Sequence, residues 1–160
     1  MYIPFDELPP QARVWIYQAS RPLAEAEQAA LKPLLEQFAE DWSSHGTNLH
    51  ASAELLHDQF LVLANNESAT AASGCSIDKS VNFVRELEQQ FNISFFDRTQ
   101  LAFLRDGEVE LVSMSELKNK VAAGDISRDT LYFDTLVTNY GDLQAAWPRP
   151  AQQSWLSRYF

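Results

Sequence analysis

Cysteine occurs once in this 160-residue chain, at Cys75, within the run Ala72-Ser73-Gly74-Cys75-Ser76-Ile77-Asp78. The run is small and polar, and it stands directly before an apolar-periodic segment, so a helix should start here. A helix N-terminus offers unpaired N–H groups and a partial positive charge, which bind an anion or favour a thiolate. Two chemistries follow from one piece of geometry. Ser73, Gly74 and Ser76, with Asp78 in the first turn, form a candidate ligand loop able to take a carboxylate or phosphate. Cys75 at the same place is a candidate catalytic or redox thiol. Its plainer role is that of a small loop residue packed under the helix.

A thiol nucleophile needs a base or a resolving thiol. No second cysteine exists, which removes an intramolecular dithiol mechanism, and Asp78 opposes a thiolate electrostatically. His45, His50 and His57 all precede the loop, and any of them could meet Cys75 in space. Their separations of five and seven residues fit no zinc helix motif, so neither a metal nor a cofactor is expected. Lys79-Ser80 supplies the last two letters of a phosphate loop, but the two glycines of G-x-x-x-x-G-K-[ST] are Ser73 and Asp78 here. A carboxylate inside a phosphate cradle is repulsive, so this is no P-loop ATPase. Ser76-Ile77-Asp78-Lys79 matches Ser-x-x-Lys, without the companion motifs of the penicillin-binding enzymes.

The elements that must position this loop come from the hydrophobic pattern. Arg13 to Tyr17 is β-branched and aromatic, hence a strand. Ser20 is a candidate cap and Pro22 a first-turn residue for a helix whose stripe runs Leu23, Ala26, Ala30, Leu34, Leu35, Phe38, Trp42. Pro33 predicts a kink, and Gly46 the helix end. Residues 51–56 and 59–64 read as a hairpin about His57-Asp58. A second helix is predicted over Ile77–Phe91, capped by Ser76 or Cys75. Residues 99–104 and 108–112 pair about Asp106-Gly107. Written out, 13–104 gives βαββαβ, the order of a ferredoxin-like antiparallel sheet carrying two main helices. Ser113 and Glu116 fit a capping box for a short helix ending at Gly124. A strand over Leu131–Val137 and a helical turn over 141–147 complete a small C-terminal α/β extension. The expected class is α+β, with a core over 1–112 and an extension over 113–160 packed on it, or one single domain over 1–160.

The 46% hydrophobic and 21% charged fractions are those of an ordinary globular protein, and a chain this long buries roughly 70% of its unfolded surface without staples. A net charge of −10, with 12 scattered Lys and Arg, argues against nucleic acid and anionic membrane as partners. The opening Met-Tyr-Ile-Pro-Phe-Asp-Glu has no basic or apolar leader pattern, and the longest apolar run is Phe60 to Ala64; both predict a cytoplasmic protein. Trp155, Tyr159 and Phe160 close the chain with three aromatics, which predicts docking on a second copy or a protein partner.

Two resemblances enter on these residues. Tyr2-Ile3-Pro4-Phe5-Asp6, Arg13-Val14-Trp15-Ile16-Tyr17, Ala71 to Asp78 and Ser154-Trp155 resemble a family of short bacterial proteins often labelled "ABC transporter ATPase". That resemblance spans nearly the whole chain and implies no established activity. Met114 to Phe133, with Ser115, Leu117, Val121, Gly124, Ile126, Asp129-Thr130 and Leu131, is similar to the helix-Gly-Ile-x-x-Asp-Thr unit of GYF-like domains. This second resemblance implies proline-rich peptide binding, although the Gly-Tyr-Phe signature is missing. Folding signals are complete and no catalytic set is. The expectation is a non-enzymatic binding or interaction protein with an anion-capable loop at 73–78; the alternative is a thiol-dependent enzyme or redox sensor using Cys75.

Overall fold

A computed structural model describes residues 1–160 and shows an α+β fold, with four α-helices and three antiparallel sheets. The chain forms two compact units, Met1–Phe96 with Val137–Asp142, and Asp97–Leu136 with Leu143–Phe160. In chain order the first unit carries β1 (Arg13–Gln18), α1 (Glu25–Asp41), the short strands β2 (Ser43–Ser44) and β3 (Thr47–Asn48), β4 (Ala51–Leu56), β5 (Phe60–Asn65) and α2 (Gly74–Phe91). Its main sheet has the order β1-β5-β4. The central strand β5 is buried along its whole length, as its unbroken apolar run requires. Strand register sets Trp15, Leu63 and Ala53 in one row and Tyr17, Leu61 and Leu55 in the next. By the two-residue period these rows share a face. On that face lie Leu31, Leu35, Ala39 and Trp42 of the α1 region with Val84 and Leu87 of α2.

The ferredoxin-like order is corrected at its last strand. Residues 100–105 join neither β1 nor β4 but pair with 108–113 and 131–132, so the first sheet stops at three strands. The division between units accordingly falls after Phe96 rather than after Val112. Residues 137–142 return to the first unit, where Val14 N–H donates to the Thr138 carbonyl at 2.9 Å and Tyr140 N–H to the Ala12 carbonyl at 2.8 Å.

Helix α1 begins at Glu25, not near Pro22, because Glu27 supplies the cap. Its carboxylate accepts the Ala24 N–H at 2.9 Å and holds both Arg21 guanidinium nitrogens, at 2.8 and 2.9 Å. The Arg21 bonds, and after them the Ala24 N–H, pull the Glu27 carboxyl down to about 2. Ser20 instead accepts the Ser94 N–H at 3.0 Å. The helix runs through Pro33 and stops at Asp41, before the small hairpin whose turn places His45 and Gly46 at positive φ.

The second unit carries β6 (Gln100–Arg105), β7 (Glu108–Ser113), α3 (Leu117–Ala122), β8 (Leu131–Tyr132) and β9 (Arg149–Pro150), paired in the order β7-β6-β8-β9. The helix α4 (Tyr140–Ala145) begins in the first unit and ends in the second. Leu101, Phe103, Val112, Leu117, Ile126, Tyr132, Ala151 and Leu156 make the second unit's core. Two expectations change here. Ser113 makes no capping bond to Glu116, because a 3₁₀ turn over Met114–Glu116 comes between it and α3. The strand expected over 131–137 is two residues long, since the Asp134 carboxylate accepts the Leu136 N–H at 2.9 Å and turns the chain. No helix is long and apolar enough to cross a membrane.

Candidate functional site

The loop before α2 is tied down from its first residue. Asn65, the last residue of β5, donates through its side chain to the Thr70 carbonyl at 2.9 Å, and Asn66 N–H donates to the His50 carbonyl at 2.8 Å. Ser68 folds back, giving both its N–H and its hydroxyl to the Asn66 side chain. Ala72 packs on the core, and Ser73 enters with extended backbone as the cap of α2. The helix thus starts three residues before Ile77, and its N-cap residue is Ser73 rather than Ser76 or Cys75.

Ser73 and Ser76 cap each other. Ser76 N–H donates to Ser73 Oγ at 3.2 Å, and Ser73 N–H donates to Ser76 Oγ at 2.6 Å. Ser76 Oγ also donates to the Ser73 carbonyl at 2.8 Å. Ser76 thereby takes the place that Glu or Gln holds in a capping box. It is buried, and its carbonyl accepts the Trp42 indole N–H at 2.8 Å. Trp42 is itself held edge-on by Trp15, ring centroids 5.5 Å apart, and packs against Phe38 at 5.1 Å. This anchor was not legible in the sequence, because a Ser-x-x-Ser pair is no established signal and the tryptophan lies 34 positions away.

Each sequence-derived residue can now be placed. Of the four leading N–H groups of α2, Ser76 bonds the Ser73 hydroxyl and Ile77 the Ser73 carbonyl. Those of Gly74 and Cys75 are left for an outside partner, and both residues are exposed. Ser73 and Ser76 commit their hydroxyls to each other, while Asp78 is exposed one turn on. Cys75 is thus an accessible thiol at the head of an 18-residue helix. His57 stands at the far end of β4 from the loop, about 20 Å of strand away. His50 lies at the loop end, and its backbone carbonyl makes the contact. His45 tops the turn of the small hairpin. No three His, Cys, Asp or Glu side chains gather where they could hold a metal ion.

A second candidate surface belongs to the second unit. Residues Trp155–Tyr159 form a 3₁₀ helix seated by the fully buried Leu156. Trp155 Nε1 donates to the Tyr132 hydroxyl at 3.2 Å, and the rings stand edge-to-face at 6.4 Å. Tyr159 continues the ladder at 6.3 Å from Trp155. The Arg158 guanidinium lies over the last two rings, 5.7 Å from Trp155 and 5.2 Å from Tyr159. Burial pushes the Tyr132 phenol up, Asp134 adds to this, and the Trp155 bond opposes it, so the hydroxyl stays neutral. Trp155, Tyr159 and Phe160 pack on this unit's core yet keep part of their surface in solvent.

Compared with protein-family models, with curated proteins and with solved structures, the chain shows no match.

Proposed function

We propose that the protein is a non-enzymatic interaction protein that holds a segment of a protein partner on the aromatic face of its second unit. The carrying observation is the Tyr132–Trp155–Tyr159 ladder, in which each ring is fixed by its neighbour and the Arg158 guanidinium lies over Trp155 and Tyr159. Tyr132 is buried, and the half-exposed rings of Trp155 and Tyr159 held on it present apolar surface with little entropy left to lose on binding. Such shelves suit proline-rich segments, whose polyproline II form is also preset. The similarity of Met114–Phe133 to GYF-like domains supports the same ligand class. A cytoplasmic location accords with a lone, unpaired cysteine.

The test is titration with a decaproline peptide, followed through the Trp155 indole resonance. Saturable shifts at Trp155 and Tyr159, lost in Trp155→Ala, are expected; shifts that never saturate or that map elsewhere refute the reading.

A second reading rests on the unengaged N–H groups of Gly74 and Cys75, which offer a small anion two donors beside an accessible thiol. A thermal-shift series with phosphate, citrate and acetate tests the anion; equal Tm values across the series refute it. The alternative of a thiol-dependent enzyme or redox sensor is tested by the pH dependence of Cys75 alkylation. An apparent pKa at or above the ~8.5 of a free thiol rules it out.

A further inference from the structure

We infer that the groove between α1 and β4 of the first unit takes an extended segment of another protein and receives from it one lysine or arginine side chain. The groove holds about 260 Å³. That is below the ~300–1,000 Å³ of small-molecule pockets and suits a single long side chain. Leu31, Leu35 and Ala53 give it an apolar floor, against which the methylenes of such a side chain can lie. Tyr2, Glu36 and Glu54 stand on its rim.

The rim is negative. Burial raises the Tyr2 phenol first, and Glu36, Glu54, Asp6 and Glu7 raise it further, in that order, which places four carboxylates within electrostatic reach of one hydroxyl. None of these four carboxylates takes part in the ion pairs Arg13–Glu67, Arg21–Glu27, Arg105–Glu110 and Lys120–Asp125. Lys32, the one cation in the lining, is exposed a turn before Glu36 and pairs with neither glutamate. A cation seated between Glu36 and Glu54 completes what the protein leaves open.

The extended form of the ligand follows from the strand. β4 is an edge of its sheet, and residues 1–3 cover only its start, with Ala51 N–H on the Met1 carbonyl at 3.0 Å and Ile3 N–H on the Ala51 carbonyl at 2.7 Å. The chain then enters a 3₁₀ turn at Phe5–Glu7, which ends the pairing. By the strand period, the backbone groups of Ala53 and Leu55 point to the same open side as those of Ala51. Leu55 N–H reaches only the carboxylate of its neighbour Glu54, at 3.2 Å. A strand added there sets alternate side chains over the groove. A second copy of the chain is the wrong occupant. Two-fold pairing along β4 brings Glu54 near its own image, between chains that each carry a net charge of −10.

The test uses fluorescein joined through an N-terminal glycine to Gly-Thr-Val-Lys-Val-Thr-Val-amide, the lysine amine left free, with glutamate and alanine in place of lysine as controls. Fluorescence anisotropy at two salt concentrations is paired with amide shifts of the full-length protein. Saturable binding of the lysine peptide is expected, with shifts at 28–36 and 53–56. The Glu36→Gln/Glu54→Gln variant should bind about tenfold more weakly, and so should wild type when salt rises from 50 to 300 mM. Circular dichroism confirms that the variant is folded. Equal binding of lysine and glutamate peptides, shifts outside the groove, or an unchanged Kd in the variant overturns the inference. So does a dimer in sedimentation whose interface maps to β4. The aromatic ladder of the second unit is unaffected by either result, since it shares none of these residues.

Discussion

Replacing Ser76 by alanine removes one hydroxyl that makes two bonds at the head of α2, from Ser73 N–H at 2.6 Å and to the Ser73 carbonyl at 2.8 Å. Ser76 is 1% exposed, so water does not take its place readily. Stranding the Ser73 N–H costs about 1–2 kcal/mol, and the loss of a single oxygen adds little as a cavity. Ser73→Ala removes the complementary bond, which is longer at 3.2 Å, and should cost about 0.5–1 kcal/mol. The two hydroxyls also touch each other at 3.1 Å. The double variant should therefore fall short of the summed losses by about 0.5 kcal/mol. Urea unfolding followed at 222 nm reads these values as shifts in midpoint at constant slope. In a chain of this size Ser76→Ala should lower Tm by about 2–8 °C. A Ser76→Ala loss under about 0.3 kcal/mol, or strict additivity in the double variant, would show that the paired serines do not start the helix.

Trp42→Phe keeps most of the ring packing but removes the donor to the Ser76 carbonyl; a loss of about 2–3 kcal/mol in denaturant unfolding is expected. The Glu27 carboxyl is lowered when folded, so its contribution is present above the unfolded value near 4.5 and fades as pH falls toward about 2. A Glu27→Gln variant should accordingly show a flatter fall in stability than wild type across that window. Asp58 sits at φ 59 in the second turn position of the β4–β5 hairpin, where glycine is preferred, so Asp58→Gly should raise stability by about 0.5 kcal/mol in thermal melts. Deleting Trp155–Phe160 removes the wholly buried Leu156 from the second unit's core and should cost at least about 3 kcal/mol, read as an early unfolding step.

What could be read from the sequence was local. The turn pairs His57-Asp58 and Asp106-Gly107, each with positive φ at both positions, announced both hairpins; the second closes as a two-residue loop, while the first carries Gln59 as an extra residue before Phe60 pairs with Leu56. The face of α2 was only half legible. Val84 and Leu87 are buried as the stripe requires, but Ser76 and Ser80 are buried beside them while Ile77 and Val81 stay half-exposed. Hydropathy ranks serine as an outward residue; here each hydroxyl finds a backbone carbonyl, Ser73 for Ser76 and Ile77 for Ser80. Partnership between strands that no tight turn joins was not legible. Nothing in Gln100–Arg105 says that it pairs with Leu131 rather than with Arg13, since pairing is set by the whole chain's packing and not by the strand's own residues. The groove beside Tyr2 is hidden for the same reason: its residues come from three separated stretches, each ordinary by itself.

The return of residues 137–142 to the first unit has a consequence for synthesis. Val14 N–H and the Ala12 carbonyl find their partners only in Thr138 and Tyr140. When Phe96 has left the ribosome, every helix and strand that builds the first sheet is already made, yet one flank of β1 still lacks its backbone partners. About 40 more residues must emerge, which takes roughly 2–8 s at 5–20 residues per second. Throughout that interval β1 presents an incomplete edge, the kind of surface that chaperones hold and other chains add to. The order of manufacture thus leaves the nascent chain vulnerable at β1, and the segment that closes the gap is one of the last to appear.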